Sequence, residues 1–147
     1  MSDWPAIAEL LPHAGPMRLL DRVAAHSALE TSCELDAAGS ALLADDDGTV
    51  PSWVALEWMA QCAAAHGALL ARAAGAPALQ GMLVGARRVT LARASFSPEV
   101  RLRVSARPTG RAGELVTFEC ELRASPRDEP LASASISVVV GNFAPAA

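Results

Sequence analysis

An α+β protein, with an antiparallel sheet wrapped around one long central helix, is the fold class that three features of the sequence predict. Pro51 opens a run to about Ala74 that is apolar nearly all round, and Gly75 and Pro77 close it. Four strand-like stretches follow, at about 80–94, 98–108, 114–124 and 131–141, separated by short breaks. The segment from 116 to 122 alternates, putting Val116, Phe118, Cys120 and Leu122 on one face and Glu119 and Glu121 on the other.

The elements read in order as follows. Residues 3–11 predict a short helix, with Asp3 as its cap and Pro5 in its first turn. Pro12-His13-Ala14-Gly15-Pro16 breaks the chain into a loop. Residues 17–23 and 27–35 predict two strands, and 36–50 is rich in turn residues. The helix from Pro51 is roughly 33 Å long at 1.5 Å per residue. A helix apolar on most sides is covered by a sheet, by a second subunit or by both. In the later strands the breaks fall at Pro98, Pro108-Thr109-Gly110, 125–128 and Gly141, the spacing of an antiparallel meander. No internal repeat interrupts what reads as one domain over 1–147.

Composition narrows the function. Apolar residues make up 52%, enough for a core without metal or disulfide staples. No charge-free apolar run reaches the roughly 18 residues of a membrane span, because Glu57, Gln61 and His66 interrupt the longest one. The first residues lack the pattern of a signal peptide, so a cytoplasmic protein is expected. Cys33, Cys62 and Cys120 have no metal-ligand spacing and read as small buried hydrophobes. The charge is uneven: about −7 over residues 1–75 and +3 over 76–147, with every basic residue an arginine. Such an acidic chain is a poor partner for duplex nucleic acid. The arginine excess fits either an anionic partner or the wet faces of strands.

Two segments carry a resemblance. Leu10-Leu11-Pro12-His13-Ala14-Gly15-Pro16-Met17-Arg18-Leu19-Leu20-Asp21-Arg22-Val23 resembles the opening of the bacterial 3-hydroxyacyl-[acyl-carrier-protein] dehydratases. Val50-Pro51-Ser52-Trp53-Val54-Ala55-Leu56-Glu57-Trp58-Met59-Ala60-Gln61 is similar to the central helix of the same family, with its Glu-x-Met-Ala-Gln. A weaker likeness runs from Gly81 to Glu99, and the nearest branch is the dehydratase-like proteins of aryl-polyene biosynthesis. The resemblance implies a hot-dog fold and removal of water from a 3-hydroxyacyl thioester in fatty acid or polyene biosynthesis. It also implies acyl carrier protein, with its phosphopantetheine-linked acyl group, as partner. Pairing with an identical or a related hot-dog subunit follows too, with an acyl tunnel at the interface. The chain departs from the family in two respects. The usual catalytic histidine lies fourteen residues before the acid, and here that position is Leu43. Ser52 likewise stands where the family has glycine.

The chemistry assigns expected roles. The α-proton of a thioester is weakly acidic, so the carbonyl must be polarised, and a helix N-terminus offers N–H groups for that. Here those are the amides of Ser52 and Trp53. Glu57, a lone carboxylate in an apolar helix, is the candidate acid, and Gln61, one turn on, its orienting neighbour. His13 is the available base, in a loop that the resemblance places beside the acyl tunnel with Pro12. The alternative for His13 is a loop histidine that shapes the tunnel. Trp53 and Trp58 flank Glu57 as tunnel lining or as core. His26 reads as surface, and His66 as a satisfied core or interface histidine on another side of the helix. Asp45-Asp46-Asp47 reads as a solvated turn before Gly48. No metal or cofactor is expected. Besides a dehydratase, the sequence admits a catalytically silent subunit of a heterodimer and a hot-dog acyl thioesterase.

Overall fold

The computed structural model describes residues 3–12, 15–77 and 79–141. A single turn of helix, α1 (Ile7–Leu10), leads into a loop that includes a 3-10 turn at Gly15–Met17. Then come β1 (Arg22–His26), β2 (Thr31–Asp36) and a 3-10 stretch at Ala37–Leu43. A two-residue strand β3 (Val50–Pro51) precedes the 3-10 turn Ser52–Val54 and the long helix α2 (Ala55–Ala73). The second half is β4 (Gln80–Leu91), β5 (Ser95–Phe96), β6 (Arg101–Ala112), β7 (Leu115–Ala124) and β8 (Pro130–Gly141). Six strands form one sheet in the order β1-β2-β6-β7-β8-β4, every neighbour antiparallel, and β3 pairs with β5 apart from it.

The sheet's inner face packs on α2. Leu35 from β2, Leu102 and Val104 from β6, Leu122 from β7 and Ile136 from β8 meet Trp58, Met59 and Cys62 in one core. The expected alternation in β7 holds: Phe118, Cys120 and Leu122 are buried, Val116 is half-buried, and Glu121 is exposed. All three cysteines lie in this seam. Cys62 Sγ donates to the Thr31 carbonyl at 3.3 Å, while burial pushes the Cys120 thiol up to about 12. Cys62 is held well above the usual thiol range, first by its neighbour Cys33 and then by burial.

Helix α2 ends as expected at Gly75, whose φ of 65° suits glycine. The Gly75 and Ala76 amides turn back to the carbonyls of Arg72 and Ala71, satisfying the last turn. Its start differs. Pro51 belongs to the β3–β5 ribbon, where a missing N–H also costs little, and the α-helix begins only at Ala55.

Other boundaries shift for identifiable reasons. The first helix is shorter than 3–11, and Ala6 rather than Asp3 stands at its cap; Glu9 reaches back to the Ala6 N–H at 3.2 Å. The first strand begins at Arg22 instead of 17, because the Leu19 amide is taken by a side chain of α2 and not by a neighbouring strand. Residues 27–30 form a hairpin turn, closed by Ser27 N–H to the Glu30 carbonyl at 2.8 Å, so the second strand starts at Thr31. Pro108-Thr109-Gly110 does not end β6: the register skips one residue between Pro108 and Gly110, a bulge that spares proline a ladder bond.

The outer face of the sheet carries arginines of β1 and β6 around Glu34. Glu34 lies within ion-pair reach of Arg22, Arg101 and Arg103, at 2.8, 3.8 and 3.4 Å. At the sheet's edge, β4 is exposed along all twelve residues, Met82 and Val84 among them. Gly81 is needed where β4 meets β8: a Cβ there would stand 2.8 Å from Val138 Cγ1. Among the described residues no helix is long and apolar enough to cross a membrane.

Candidate active site

The start of α2 brings a carboxylate and a carboxamide to one loop. Glu57 and Gln61 are one turn apart, so both project on the same side of the helix. Gln61 is fully buried, and both its carbonyl oxygen and its amino group are hydrogen-bonded. Its Oε1 accepts the Leu19 N–H at 2.9 Å, and its Nε2 donates to the Met17 carbonyl at 2.7 Å and to Glu57 Oε1 at 3.4 Å. A buried amide is retained only when paired, so Gln61 clamps the 15–19 loop against the helix beside Glu57. Glu57 itself is half-buried.

The other expected site residues separate. Ser52 is buried and its amide donates to the Ala94 carbonyl at 3.0 Å, an extension of the β3–β5 ribbon. That bond corrects the expectation of two free donors at this helix start. The Trp53 amide has no such acceptor among the described residues, and its indole is 55% exposed. Trp58, next along the helix, is fully buried and tilted against Phe96 with ring centroids 5.6 Å apart. Its Nε1 donates to Ser40 Oγ at 2.9 Å, which pins the 3-10 stretch to the helix. Trp58 is therefore a core residue. Pro12 is exposed, and His13 lies outside the described residues. Leu43, at the family's histidine position, closes the 3-10 stretch and is half-buried.

The ApeP-like family, described as ApeP dehydratase, matches residues 5–146. The chain belongs to the ApeP-like dehydratase family. No curated protein matches it. Among solved structures, this ApeP-like chain is similar to the dehydratase heterocomplex ApeI:P from Xenorhabdus doucetiae. That likeness has a TM-score of 0.88 at 22% identity, covering 95% of this chain and 93% of the other. It also resembles AziG of S. sahachiroi, with a TM-score of 0.63 at 15% identity over 91% and 99% of the two chains. A hypothetical thioesterase of Streptococcus pneumoniae, solved with coenzyme A, gives 0.62 at 10% identity over 84% and 88%. The fold of the ApeP-like chain is the hot-dog fold.

This ApeP-like dehydratase also contains a histidine array that its sequence did not announce. Thr31 Oγ1 lies 2.7 Å from His26 Nδ1 and 2.7 Å from His66 Nδ1. His26 is thus no surface residue: it is half-buried, edge-on to Trp4 and 5.4 Å from the His66 ring. His66 is buried in the core, but it is not fully satisfied, since its Nε2 has no hydrogen-bond partner among the described residues. Burial, and then the nearby His26, lower the His66 pKa to about 4. The Thr31–His66 contact joins residues 35 positions apart, a spacing with no local sequence signal. The acidic run is the expected turn: Asp47 Oδ1 accepts the Thr49 amide and hydroxyl at 3.0 and 2.6 Å.

Proposed function

We propose that this ApeP-like chain dehydrates 3-hydroxyacyl groups borne on acyl carrier protein, in fatty acid or polyene biosynthesis, as one of a pair of hot-dog subunits in the cytoplasm. The observation that carries the reading is the Gln61 clamp, which holds the loop following Pro12 and His13 against the helix turn that bears Glu57. In the reaction, His13 takes the α-proton, and the C–H electron pair becomes the new double bond. The C–O bond breaks, Glu57 gives its proton to the leaving hydroxyl, and a 2-enoyl thioester and water result. The Trp53 amide, at the positive end of α2, receives the thioester carbonyl as it gains charge. Exposed Trp53 and Pro12 line the entrance in this reading, and buried Ser52 sets the backbone beneath it.

Pairing rests on β4. A twelve-residue edge strand with Met82, Val84 and Val89 exposed presents unpaired backbone groups and apolar surface to any partner strand. The similar Xenorhabdus protein is a heterocomplex of two chains. A related hot-dog subunit is therefore the favoured partner over a second copy.

A second reading has its own observation. Leu43 occupies the position of the usual histidine, as expected of a subunit that completes an active partner without catalysing. One experiment separates the two. A 3-hydroxyacyl carrier-protein thioester is incubated with the chain alone and with a related hot-dog subunit, and enoyl product is followed by mass spectrometry. Activity of the wild type, lost in Glu57→Gln and His13→Ala, supports the proposal. Activity of the pair that survives both substitutions establishes the silent subunit instead. Release of free thiol without enoyl product identifies a thioesterase.

A further inference from the structure

The bulge in β6 changes which face of the sheet its residues occupy. Up to Pro108 the even positions point inward: Leu102, Val104 and Ala106 are buried, while Arg101, Arg103 and Arg107 are exposed. Unbroken alternation would leave Arg111 with those arginines on the outer face. The register instead skips Thr109, so Gly110 pairs with Thr117 and Arg111 pairs with Val116. Val116 belongs to the inward row of β7, with Phe118, Cys120 and Leu122. Directly opposed residues share a face, so the bulge turns Arg111 to the helix side of the sheet.

There Arg111 borders a cavity of about 540 Å³ between the second half of α2 and the sheet, within the size range of small-molecule sites. Gly67 and Leu70 line its helix side, Phe118 and Val138 its sheet side. From Ala63 to Ala71 the helix side runs about 12 Å, the length of an aliphatic chain of about ten carbons. Among the described residues that line it, Arg111 is the one with a charge. His66 is 1% exposed and offers an occupant almost no surface. The cavity lies apart from the Glu57 site: Ala63, the lining residue nearest to Glu57 along α2, is about 9 Å farther along the axis.

The guanidinium of Arg111 is held but not neutralised. Its Nε donates to the Gly113 carbonyl at 2.9 Å, inside its own hairpin. Arg22, Arg101 and Arg103 share Glu34, whereas no carboxylate among the described residues lies within ion-pair distance of Arg111. With Nε engaged, the two Nη groups form the free edge, and a carboxylate can accept one N–H from each, side by side. An apolar trough bordered by one fixed cation complements an aliphatic chain with an anionic end. Removing the tail from water supplies affinity, and the guanidinium selects the head. A neutral chain would use the walls and leave the cation without a partner.

We propose that this cavity binds a free medium-chain carboxylate, its tail along α2 from Ala63 to Ala71 and its head on the Nη groups of Arg111. The site stands whether or not Glu57 is catalytic, and its readout is binding rather than turnover. Decanoate is the probe, and 1-decanol is the control with the same chain and no charge. Both are titrated calorimetrically into the full chain at about pH 7.5, where a carboxylate is ionised. The methyl resonances of Val138 and Val140, both in the lining, are followed by NMR. The expected result is saturable decanoate binding that shifts both valines. Arg111→Gln weakens decanoate at least tenfold and 1-decanol less than twofold. In Gly67→Leu, which fills the cavity from a position where a Cβ meets nothing within 4 Å, neither ligand binds. Because Gly81 in the lining belongs to β4, the decanoate titration is repeated with a related hot-dog subunit bound, and the affinity is expected to persist. No decanoate binding up to its solubility, equal losses of both ligands in Arg111→Gln, unchanged binding in Gly67→Leu, or loss of binding in the pair overturns the proposal.

Discussion

Gln61 accepts the Leu19 amide proton at 2.9 Å, in a buried bond that spans 42 positions of sequence. Replacing it by leucine keeps the volume and strands that amide. Gln61→Leu is expected to cost about 1–3 kcal/mol of stability. A drop of at least tenfold in enoyl formation by the paired enzyme accompanies it, because the loop beside Glu57 is released. Thermal unfolding and a turnover assay check the two effects separately. Unchanged turnover would show that the loop needs no clamp for the reaction.

Trp58 and Ser40 form a second buried pair, and here the two single changes differ. Ser40→Ala leaves the indole N–H without its acceptor, at about 1–3 kcal/mol. Trp58→Phe removes donor and ring volume together, and the hydroxyl it leaves can turn toward another partner. A double-mutant cycle by denaturant unfolding should give a coupling of at least about 0.5 kcal/mol. A coupling near zero would mean that the bond does not hold the 3-10 stretch.

How far the sequence foretold this molecule depends on the range of the interactions involved. The helix end at Gly75, the alternation of β7 and the i, i+4 contact of Glu57 with Gln61 are local, and each was legible. Pro108 was read as a break because the rule against proline in strands ignores the bulge that accommodates it. The start of β1 was misplaced because Leu19 satisfies its amide on Gln61, which lies on a distant element. The family resemblance, carried by the segments around Pro12 and Glu57, led correctly to the ApeP-like dehydratases. Nothing in the sequence joined His66 to His26 and Thr31, since only the packing of α2 on the β1–β2 hairpin brings them together.

That array predicts a pH dependence. The folded-state pKa of His66, about 4, is below the ordinary 6.5, so the unfolded chain binds the proton more readily. Stability contributed by neutral His66 is complete above about pH 6.5 and is lost as pH falls toward 4. His26, also lowered by burial, acts in the same direction. The full loss attributable to His66 is on the order of 3 kcal/mol. Denaturant unfolding between pH 7.5 and 4.5 measures the slope, which should flatten in His66→Phe. A slope equal to the wild type's would assign it to other groups.

The exposed edge makes a separate prediction. Met82 on β4 is 53% exposed, so Met82→Lys should change the stability of the chain by no more than about 0.5 kcal/mol. A lysine there opposes strand-to-strand association. Sedimentation of the mixture with a related hot-dog subunit should show at least tenfold weaker pairing. Undiminished pairing would direct attention to another surface.

The thiol seam has a practical corollary. Cys33, Cys62 and Cys120 are sealed between α2 and the sheet, and Cys62 and Cys120 are held in the unreactive thiol form. An alkylating reagent in solution meets them only when helix and sheet part. The rate of alkyl uptake then works as a clock on those openings, with no dye or label attached. Because the seam lies away from β4, the same clock run with and without a bound partner would tell how much of the chain's endurance is its own.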